Sequence, residues 1–387
     1  MRVAAKMARL GTETAFEMLA RAKALEAKGA HIIHLEIGEP DFDTPPNIVE
    51  AAIAALRQGW THYGPSAGLP ELQAVIAKEA SDIRGVEYRP SQVVVTPGAK
   101  PIMFFVIMAL VDEGDEVIYP NPGFPIYESM INFVGGVPVP VQLREDREFR
   151  FDVAELKAKV TKKTKLIILN SPQNPTGGVL TKDDLSEVAR VAIDNDIAVL
   201  SDEVYRRIIY EGEHYSIASL PGMQERTIIL DGFSKTYAMT GWRLGYGICP
   251  PDLTPHITRL MTNSASCTAS FIQRAGIEAI TGPQAEPQRY VEEFRRRRDV
   301  IVDGLNSIPG FSCLRPQGAF YVFPNVKKIG MSSQALAEYL LNEAGVATLS
   351  GGAFGEYGEG YLRLSYANSV ENLQLALERI RAAVAKL

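Results

Sequence analysis

The stretch Asp231-Gly-Phe-Ser-Lys235-Thr-Tyr-Ala-Met-Thr-Gly-Trp-Arg243-Leu-Gly245 follows a β-branched run and contains one lysine among small and hydroxyl residues. A lysine at the end of a strand, with an arginine eight positions later, suits a Schiff base beside an anion site. Taken alone, the stretch is far more typical of an ordinary surface turn with a solvated lysine. The surrounding sequence therefore has to distinguish the two interpretations.

Short β-branched runs recur on both sides of this stretch, and longer segments with helical spacing, such as Thr181–Asn195, separate them. Runs that are apolar on both faces indicate strands covered on both sides, as in a mainly parallel α/β sheet with crossover helices. We therefore predict a three-layer large domain around a mainly parallel seven-stranded sheet. The strands are expected at residues 92–96, 116–119, 137–141, 166–169, 198–201, 227–231 and 244–248.

The pattern changes toward both ends of the chain. Ala15–Lys28 and Glu286–Asn306 have helical spacing, and the later segments combine strand and helix patterns. Acidic neighbours of the run Arg295–Arg298 indicate a solvated helix face rather than a polyanion site. We predict a smaller α+β domain formed by residues 1–43 and 286–387, with the large domain at residues 44–285.

Composition excludes several classes of function. The 387 residues include 40 Lys and Arg against 46 Asp and Glu, a net charge of −6 that favours neither nucleic acid nor an anionic membrane. Three cysteines without a C-x-x-C pair and five histidines predict no disulfide framework and no metal site. The apolar run Ile102–Val111 is too short to span a bilayer and indicates a wholly buried helix. We expect a cytoplasmic protein with small-molecule ligands.

Three motifs place the chain near a known family: S-K-T through G-W-R-x-G at 234–245, N-P-T-G at 174–177 and D-E-V-Y at 202–205. With these motifs in family order, the sequence resembles the class I pyridoxal-phosphate aminotransferases of fold type I, which are aspartate aminotransferase-like, over nearly its whole length. The resemblance implies a pyridoxal 5′-phosphate enzyme. Such an enzyme would transaminate an L-amino acid with a 2-oxo acid, 2-oxoglutarate or pyruvate, by a ping-pong mechanism through a Schiff base on Lys235.

The resemblance also implies the catalytic residues. Lys235 matches the lysine that holds the cofactor and then moves the substrate's proton. Asp202 matches the carboxylate that pairs with the pyridine nitrogen, although an Asp after a strand is more commonly a helix N-cap. Tyr205 and Asn174 match the donors to the cofactor's phenolic oxygen, and the Pro/Gly composition around Asn174 also predicts a turn.

A phosphate site is implied where a strand leads into a helix at residues 96–101. Backbone N–H groups at a helix N-terminus bind anions, and a proline is tolerated in the first turn. Gly232 stands where many relatives have a serine, which leaves one phosphate hydrogen bond in question. The residues that match the phosphate site are Gly98, Ala99, Lys100, Ser234 and Arg243.

Further matches concern the ring, the substrate and the partner subunit. Phe124 matches the aromatic residue that stacks on the pyridine ring. Arg363 matches the arginine that forks the substrate α-carboxylate, with Gly38 and Asn174 beside it. Tyr63 matches the tyrosine that reaches the phosphate of a neighbouring subunit, which implies a homodimer with shared active sites.

Two alternatives remain at this stage. A β-lyase or decarboxylase would use the same cofactor and fold, whereas a DNA-binding regulator would need an extra domain and a basic surface that this chain lacks. Substrate specificity is also open, because no second cation for a distal carboxylate can be assigned. The apolar segment Pro101–Leu110 and Phe16 favour neutral or apolar side chains, while the overall resemblance favours an aspartate-like preference.

Overall fold

The computed structural model describes all 387 residues. The strands are β1 (Ile33–His34), β2 (Val93–Thr96), β3 (Glu116–Asn121), β4 (Val137–Gln142), β5 (Thr164–Asn170), β6 (Ala198–Asp202), β7 (Thr227–Gly232), β8 (Gly245–Ile248), β9 (Tyr321–Val322), β10 (Val346–Ala347), β11 (Leu349–Ser350) and β12 (Leu362–Ser365). The α-helices are α1 (Thr14–Glu26), α2 (Pro46–Arg57), α3 (Pro70–Arg84), α4 (Lys100–Leu110), α5 (Ile126–Val134), α6 (Val153–Lys159), α7 (Lys182–Asp194), α8 (Thr254–Ala265), α9 (Ser270–Thr281), α10 (Ala285–Asn306), α11 (Ser333–Tyr339) and α12 (Val370–Val384).

A seven-stranded sheet forms the centre of the fold, in the order β2-β8-β7-β6-β5-β3-β4. The strands from β7 to β4 are parallel to their neighbours, whereas β8 runs antiparallel to both β2 and β7. The predicted α/β class and the mainly parallel seven-stranded sheet are confirmed. Because β5, β6 and β7 are adjacent and parallel, their carboxyl ends meet at one edge of the sheet.

Helices cover both faces of this sheet, which makes three layers. On one face, Ile168 and Leu230 pack in a core with residues of α4, α5 and α8. On the other face, Ile229 packs with α2, α3 and α9, and Val199 packs with α7. Strands buried on both sides explain why the apolar runs are nearly continuous in sequence.

Local sequence signals set the helix ends. Thr181 caps α7: its hydroxyl accepts a hydrogen bond from the Asp184 amide at 3.1 Å, and the Asp184 carboxylate accepts one from the Thr181 amide at 2.9 Å. This reciprocal pair is a capping box, which satisfies two otherwise free donors. Ser369 caps α12 in the simpler way, through a hydrogen bond from the Asn372 amide at 3.1 Å.

The helix α4 differs from the prediction of a wholly buried helix. Ile102 is fully buried, but the side chain of Met108 is 46% exposed. The prediction failed because continuous apolar composition does not show which face of a helix meets solvent. None of the twelve α-helices has the length and apolar character that a bilayer crossing requires.

A second structural unit combines segments from both chain ends. Strand β1 pairs in parallel with β10, and the Ser365 amide donates to the Leu35 carbonyl at 2.7 Å. A three-stranded antiparallel sheet, β11-β12-β9, lies beside this pair. Helix α1 packs on β10 and β11. The domain limits at residues 43/44 and 285/286 stay a prediction.

The arginine run on α10 is partly buried, which corrects the prediction of a solvated face. Arg297 and Arg298 are 6% and 3% exposed. Arg297 forms ion pairs with Asp41 at 2.6 Å and Glu293 at 2.8 Å, and Arg298 pairs with Glu211 at 2.6 Å. Sequence neighbours showed the acidic partner Glu293 but not Asp41 and Glu211, which are distant in the chain.

Candidate active site

A cavity of about 450 Å³ lies at the carboxyl ends of β5, β6 and β7. Asn170, Asp202 and Gly232, the last residues of these strands, all line it. No group of three or more His, Cys, Asp or Glu side chains is arranged to hold a metal ion. The cavity brings together eleven of the thirteen predicted site residues: Gly38, Ala99, Lys100, Phe124, Asn174, Asp202, Tyr205, Ser234, Lys235, Arg243 and Arg363.

Lys235 lies in the turn that follows β7. Its amine donates a hydrogen bond to the carbonyl of Gly38, in the loop that follows β1, at 2.6 Å. Burial lowers the pKa of Lys235 to about 8. The positive charges of Arg363 and Arg243 lower this pKa as well, whereas the negative charge of Glu39 raises it. About a tenth of this lysine is therefore a neutral, nucleophilic amine at pH 7, far more than for a lysine with the usual pKa.

Asp202 ends β6 and is 7% exposed. Its Oδ2 accepts a hydrogen bond from the Tyr127 hydroxyl at 2.5 Å, and its Oδ1 accepts a longer one from the Val204 amide at 3.3 Å. Burial raises the pKa of Asp202 to about 7, and Asp231 and Glu203 raise it further while Tyr127 opposes. A turn follows Asp202 instead of a helix, which rules out the N-cap interpretation.

Tyr205 and Asn174 lie beside Lys235 and are buried. The Tyr205 hydroxyl is 2.7 Å from the Tyr321 hydroxyl, and burial raises the pKa of Tyr205 well above its usual value. The Asn174 amide donates to Asn170 Oδ1 at 2.9 Å, which fixes the predicted turn after β5. Both residues line the cavity.

Arg363 projects from the central strand of the three-stranded sheet and is 4% exposed. One guanidinium nitrogen donates to Asn174 Oδ1 at 3.4 Å, another donates to the Glu36 carbonyl, and Nε has no partner. The guanidinium also lies 4.7 Å from the Tyr321 ring centre. Burial lowers the pKa of Arg363, and the unpartnered donor leaves it able to bind an anion.

Gly98, Ala99 and Arg243 form the opposite end of the cavity. Gly98 has φ of +85°, and a Cβ there would clash with the Arg243 guanidinium. A Cβ on Gly245 would likewise clash with the backbone of Gly98 and Ala99. Because these two positions have no side chain, the start of α4 can lie directly against β8 and Arg243. Backbone N–H groups and a guanidinium therefore lie close together at this end of the cavity.

Ser234, Gly232 and Phe124 complete this end. Gly232 packs against the Gly245 Cα and the Ala99 Cβ, so a serine at this position would be crowded. The Phe124 ring meets the Tyr127 ring edge to face, with centres 5.6 Å apart, and lines the cavity.

Two predicted residues lie outside the cavity lining. Gly98 is directly behind it, under Arg243. Tyr63 is 89% exposed on the surface of this single chain. The role of Tyr63 in a neighbouring subunit stays a prediction.

Sequence reasoning missed three residues that shape the site. Tyr127 is the only side chain that donates a hydrogen bond to Asp202. The Tyr321 hydroxyl is hydrogen-bonded to that of Tyr205, and its ring lies beside the Arg363 guanidinium. Glu13 forms an ion pair with Lys100 at the cavity wall. Tyr127 and Tyr321 lie in segments rich in aromatic residues, which give no signal of these hydroxyl contacts. The contact of Glu13 spans 87 positions, so no local signal could reveal it.

The residues present fit pyridoxal phosphate. The glycine-lined start of α4 with Arg243 and Ser234 offers donors and positive charge to a phosphate. Asp202, at the far wall, offers a buried carboxylate to a ring nitrogen, and Lys235 offers a low-pKa amine to an aldehyde. The spare donor on Arg363 then suits a substrate carboxylate.

Sequence comparisons relate the whole chain to known aminotransferases. The family model "Aminotransferase class I and II" matches residues 30–380. The probable aspartate/prephenate aminotransferase of Aquifex aeolicus is 41% identical, covering 100% of this chain and 99% of its own length. The aromatic-amino-acid aminotransferase 2 of Thermococcus litoralis is 42% identical over 90% of both chains.

A solved structure extends the similarity to the fold. The aspartate aminotransferase of Thermus thermophilus with maleate superposes with a TM-score of 0.94 at 38% identity, covering 99% of this chain and 100% of that one. These relatives are named as aminotransferases, and none is named as a lyase, decarboxylase or regulator. The chain therefore belongs to the class I and II aminotransferase family and is a pyridoxal-phosphate-dependent transaminase of fold type I.

Proposed function

We propose that this enzyme transfers the amino group of an L-amino acid to 2-oxoglutarate or pyruvate, with Lys235, Asp202 and Arg363 as its principal residues. The observation that carries the proposal is their convergence on one cavity: a low-pKa amine, a buried carboxylate and an arginine with a spare donor. The kinetic mechanism is ping-pong, because the donor's 2-oxo acid product must leave Arg363 before the acceptor's carboxylate can bind there.

The bound cofactor supplies a ring that withdraws electrons from the substrate's α-carbon. Asp202, as a carboxylate, holds a proton on the ring nitrogen and so keeps that ring electron-poor. With the cofactor bound, the Lys235 Nζ would take the proton from the substrate's α-carbon and would return it to the cofactor's C4′ atom. Tyr205 and Asn174 donate hydrogen bonds to the phenolic oxygen.

Two further groups of residues orient the ligands. The N–H groups of residues 98–100, with Ser234 and Arg243, bind the phosphate, and Phe124 stacks on the ring. Arg363 forks the substrate α-carboxylate with two parallel N–H bonds, while Asn174 and the Gly38 backbone lie beside it. Fixing the carboxylate would orient the substrate's Cα–H bond for cleavage.

The enzyme acts as a homodimer in the cytoplasm, with a large domain at residues 44–285 and a small one at 1–43 and 286–387. Tyr63 supports the dimer, because its side chain is 89% exposed in one chain and is free to reach a second subunit. Sedimentation velocity of the holoenzyme tests this part. A monomer at micromolar concentration with full activity would contradict shared active sites.

The experiment that tests the function is a panel of amino donors against 2-oxoglutarate and pyruvate, with the holoenzyme and product 2-oxo acids measured by mass spectrometry. Amino transfer between at least one pair is expected, with parallel lines in double-reciprocal plots. Release of ammonia and pyruvate from a β-substituted donor, with no amino transfer to either acceptor, would contradict the proposal.

A further inference from the structure

An ion pair between Glu13 and Lys100 forms part of the cavity wall. Glu13 immediately precedes α1, and Lys100 is the first residue of α4, so the pair joins the two structural units across the cavity. The side chain of Glu13 is 20% exposed and that of Lys100 is 41% exposed. Both residues line the cavity, and the Lys100 amine lies 5.4 Å from the centre of the Phe124 ring.

Lys100 is the only cationic side chain of the lining that the proposed reaction leaves unused. The other three are Lys235, Arg243 and Arg363, which serve the cofactor aldehyde, the phosphate and the α-carboxylate. Within this chain, a second carboxylate on the substrate would therefore have only the Lys100 side chain as a cation. In this structure Glu13 already neutralises that charge.

Glu13 also lies close to where the substrate must sit. Burial lowers the pKa of Lys235 and of Arg363, and the charge of Glu13 acts in the opposite direction on both. Glu13, Lys235 and Arg363 all line this cavity, so the carboxylate lies on the wall of the space that the substrate enters. Phe16, in the first turn of α1, adds an apolar surface to the same wall of the cavity.

We propose that Glu13 determines substrate specificity by occupying Lys100, so that the enzyme prefers donors with neutral or apolar side chains over aspartate and glutamate. The inference rests on the proposed function and names its substrate class. A distal carboxylate has to displace Glu13 from Lys100 and then remain beside a like charge, which is unfavourable in a partly desolvated site. A neutral side chain packs against Phe16 and Phe124 and leaves the ion pair intact.

The test is the donor half-reaction of the holoenzyme, in which loss of the cofactor's aldehyde absorbance reports amino transfer from one donor without an acceptor. The quantity measured is the ratio of kcat/KM for aspartate to kcat/KM for leucine and phenylalanine. Glu13→Gln keeps the side-chain size but frees Lys100. Glu17→Gln is the matched control, because Glu17 is an exposed residue of α1, four positions after Glu13, and lies outside the cavity lining.

We expect Glu13→Gln to raise the aspartate-to-leucine ratio about fivefold or more, as the loss of one competing ion pair implies. Glu17→Gln should leave the ratio unchanged. Adding Lys100→Met to Glu13→Gln should cancel the gain, because the gain acts through that amine.

A wild-type enzyme that prefers aspartate to leucine would overturn the inference, and so would an unchanged ratio in Glu13→Gln. A gain that survives Lys100→Met would also overturn it. Neither result affects the proposed function, which would fail only if no donor of the panel converted the cofactor in any of the variants.

Discussion

Tyr127 sets the charge of Asp202, and Tyr127→Phe tests this directly. The hydroxyl of Tyr127 is the only side-chain donor to Asp202, at 2.5 Å, and the wild-type pKa of Asp202 is about 7. A hydrogen bond to a charged group contributes about 1.5–3 kcal/mol. At 1.36 kcal/mol per pKa unit, losing about 2 kcal/mol raises the pKa of Asp202 toward about 8.5.

The consequence is a cofactor affinity that depends on pH. With a pKa of about 7, about half of Asp202 is ionised at pH 7, whereas a pKa of about 8.5 leaves about 3% ionised. Because the ring nitrogen pairs with the carboxylate form, the variant should bind pyridoxal phosphate about 15-fold more weakly at pH 7. The difference should nearly vanish by about pH 9.5, where both proteins are largely ionised.

The assay is titration of the apoenzyme with pyridoxal phosphate, followed by absorbance, across this pH range. The ratio of variant to wild-type Kd cancels the shared effect of Lys235. Tyr119→Phe is the control, because Tyr119 is buried, donates to Glu128 and lies outside the cavity lining. A Kd ratio that stays constant with pH in a folded Tyr127→Phe protein would refute the reasoning.

Two further predictions concern the ends of the cavity. Arg363→Lys should raise KM for the donor about 100-fold with little change in cofactor affinity, because one ammonium cannot span both carboxylate oxygens; steady-state kinetics check this, and an unchanged KM would contradict it. Gly245→Ala should weaken cofactor binding and lower Tm by a few degrees, because the methyl group clashes with the backbone of Gly98 and Ala99. Gly241→Ala, whose methyl group meets open space, should keep the wild-type Tm in the same thermal melt.

Local patterns in the sequence were sufficient for the central sheet. Each parallel strand is buried on both faces, so its apolar run is visible without knowledge of its neighbours. The placement of Asp202 and Lys235 followed in the same way, because both lie where a strand ends. Antiparallel β8 could not be told from the others, since strand direction depends on the chain's path and leaves no local signal.

Contacts between distant segments account for what the sequence did not predict. Arg297 looked solvated because its partner Asp41 is 256 positions away. Tyr321 looked like an ordinary strand residue, yet its hydroxyl meets that of Tyr205. Glu13 lies before a helix with no motif around it, and only the folded chain brings it to Lys100.

The central claim is that Lys235 is the amine that holds the cofactor. Its direct test is to incubate the protein with pyridoxal phosphate, reduce with borohydride, digest, and locate the modified lysine by mass spectrometry. The account predicts one modified peptide, carrying the label on Lys235, and no turnover by Lys235→Ala. Label on Lys100 instead, or full transamination by Lys235→Ala, would contradict it.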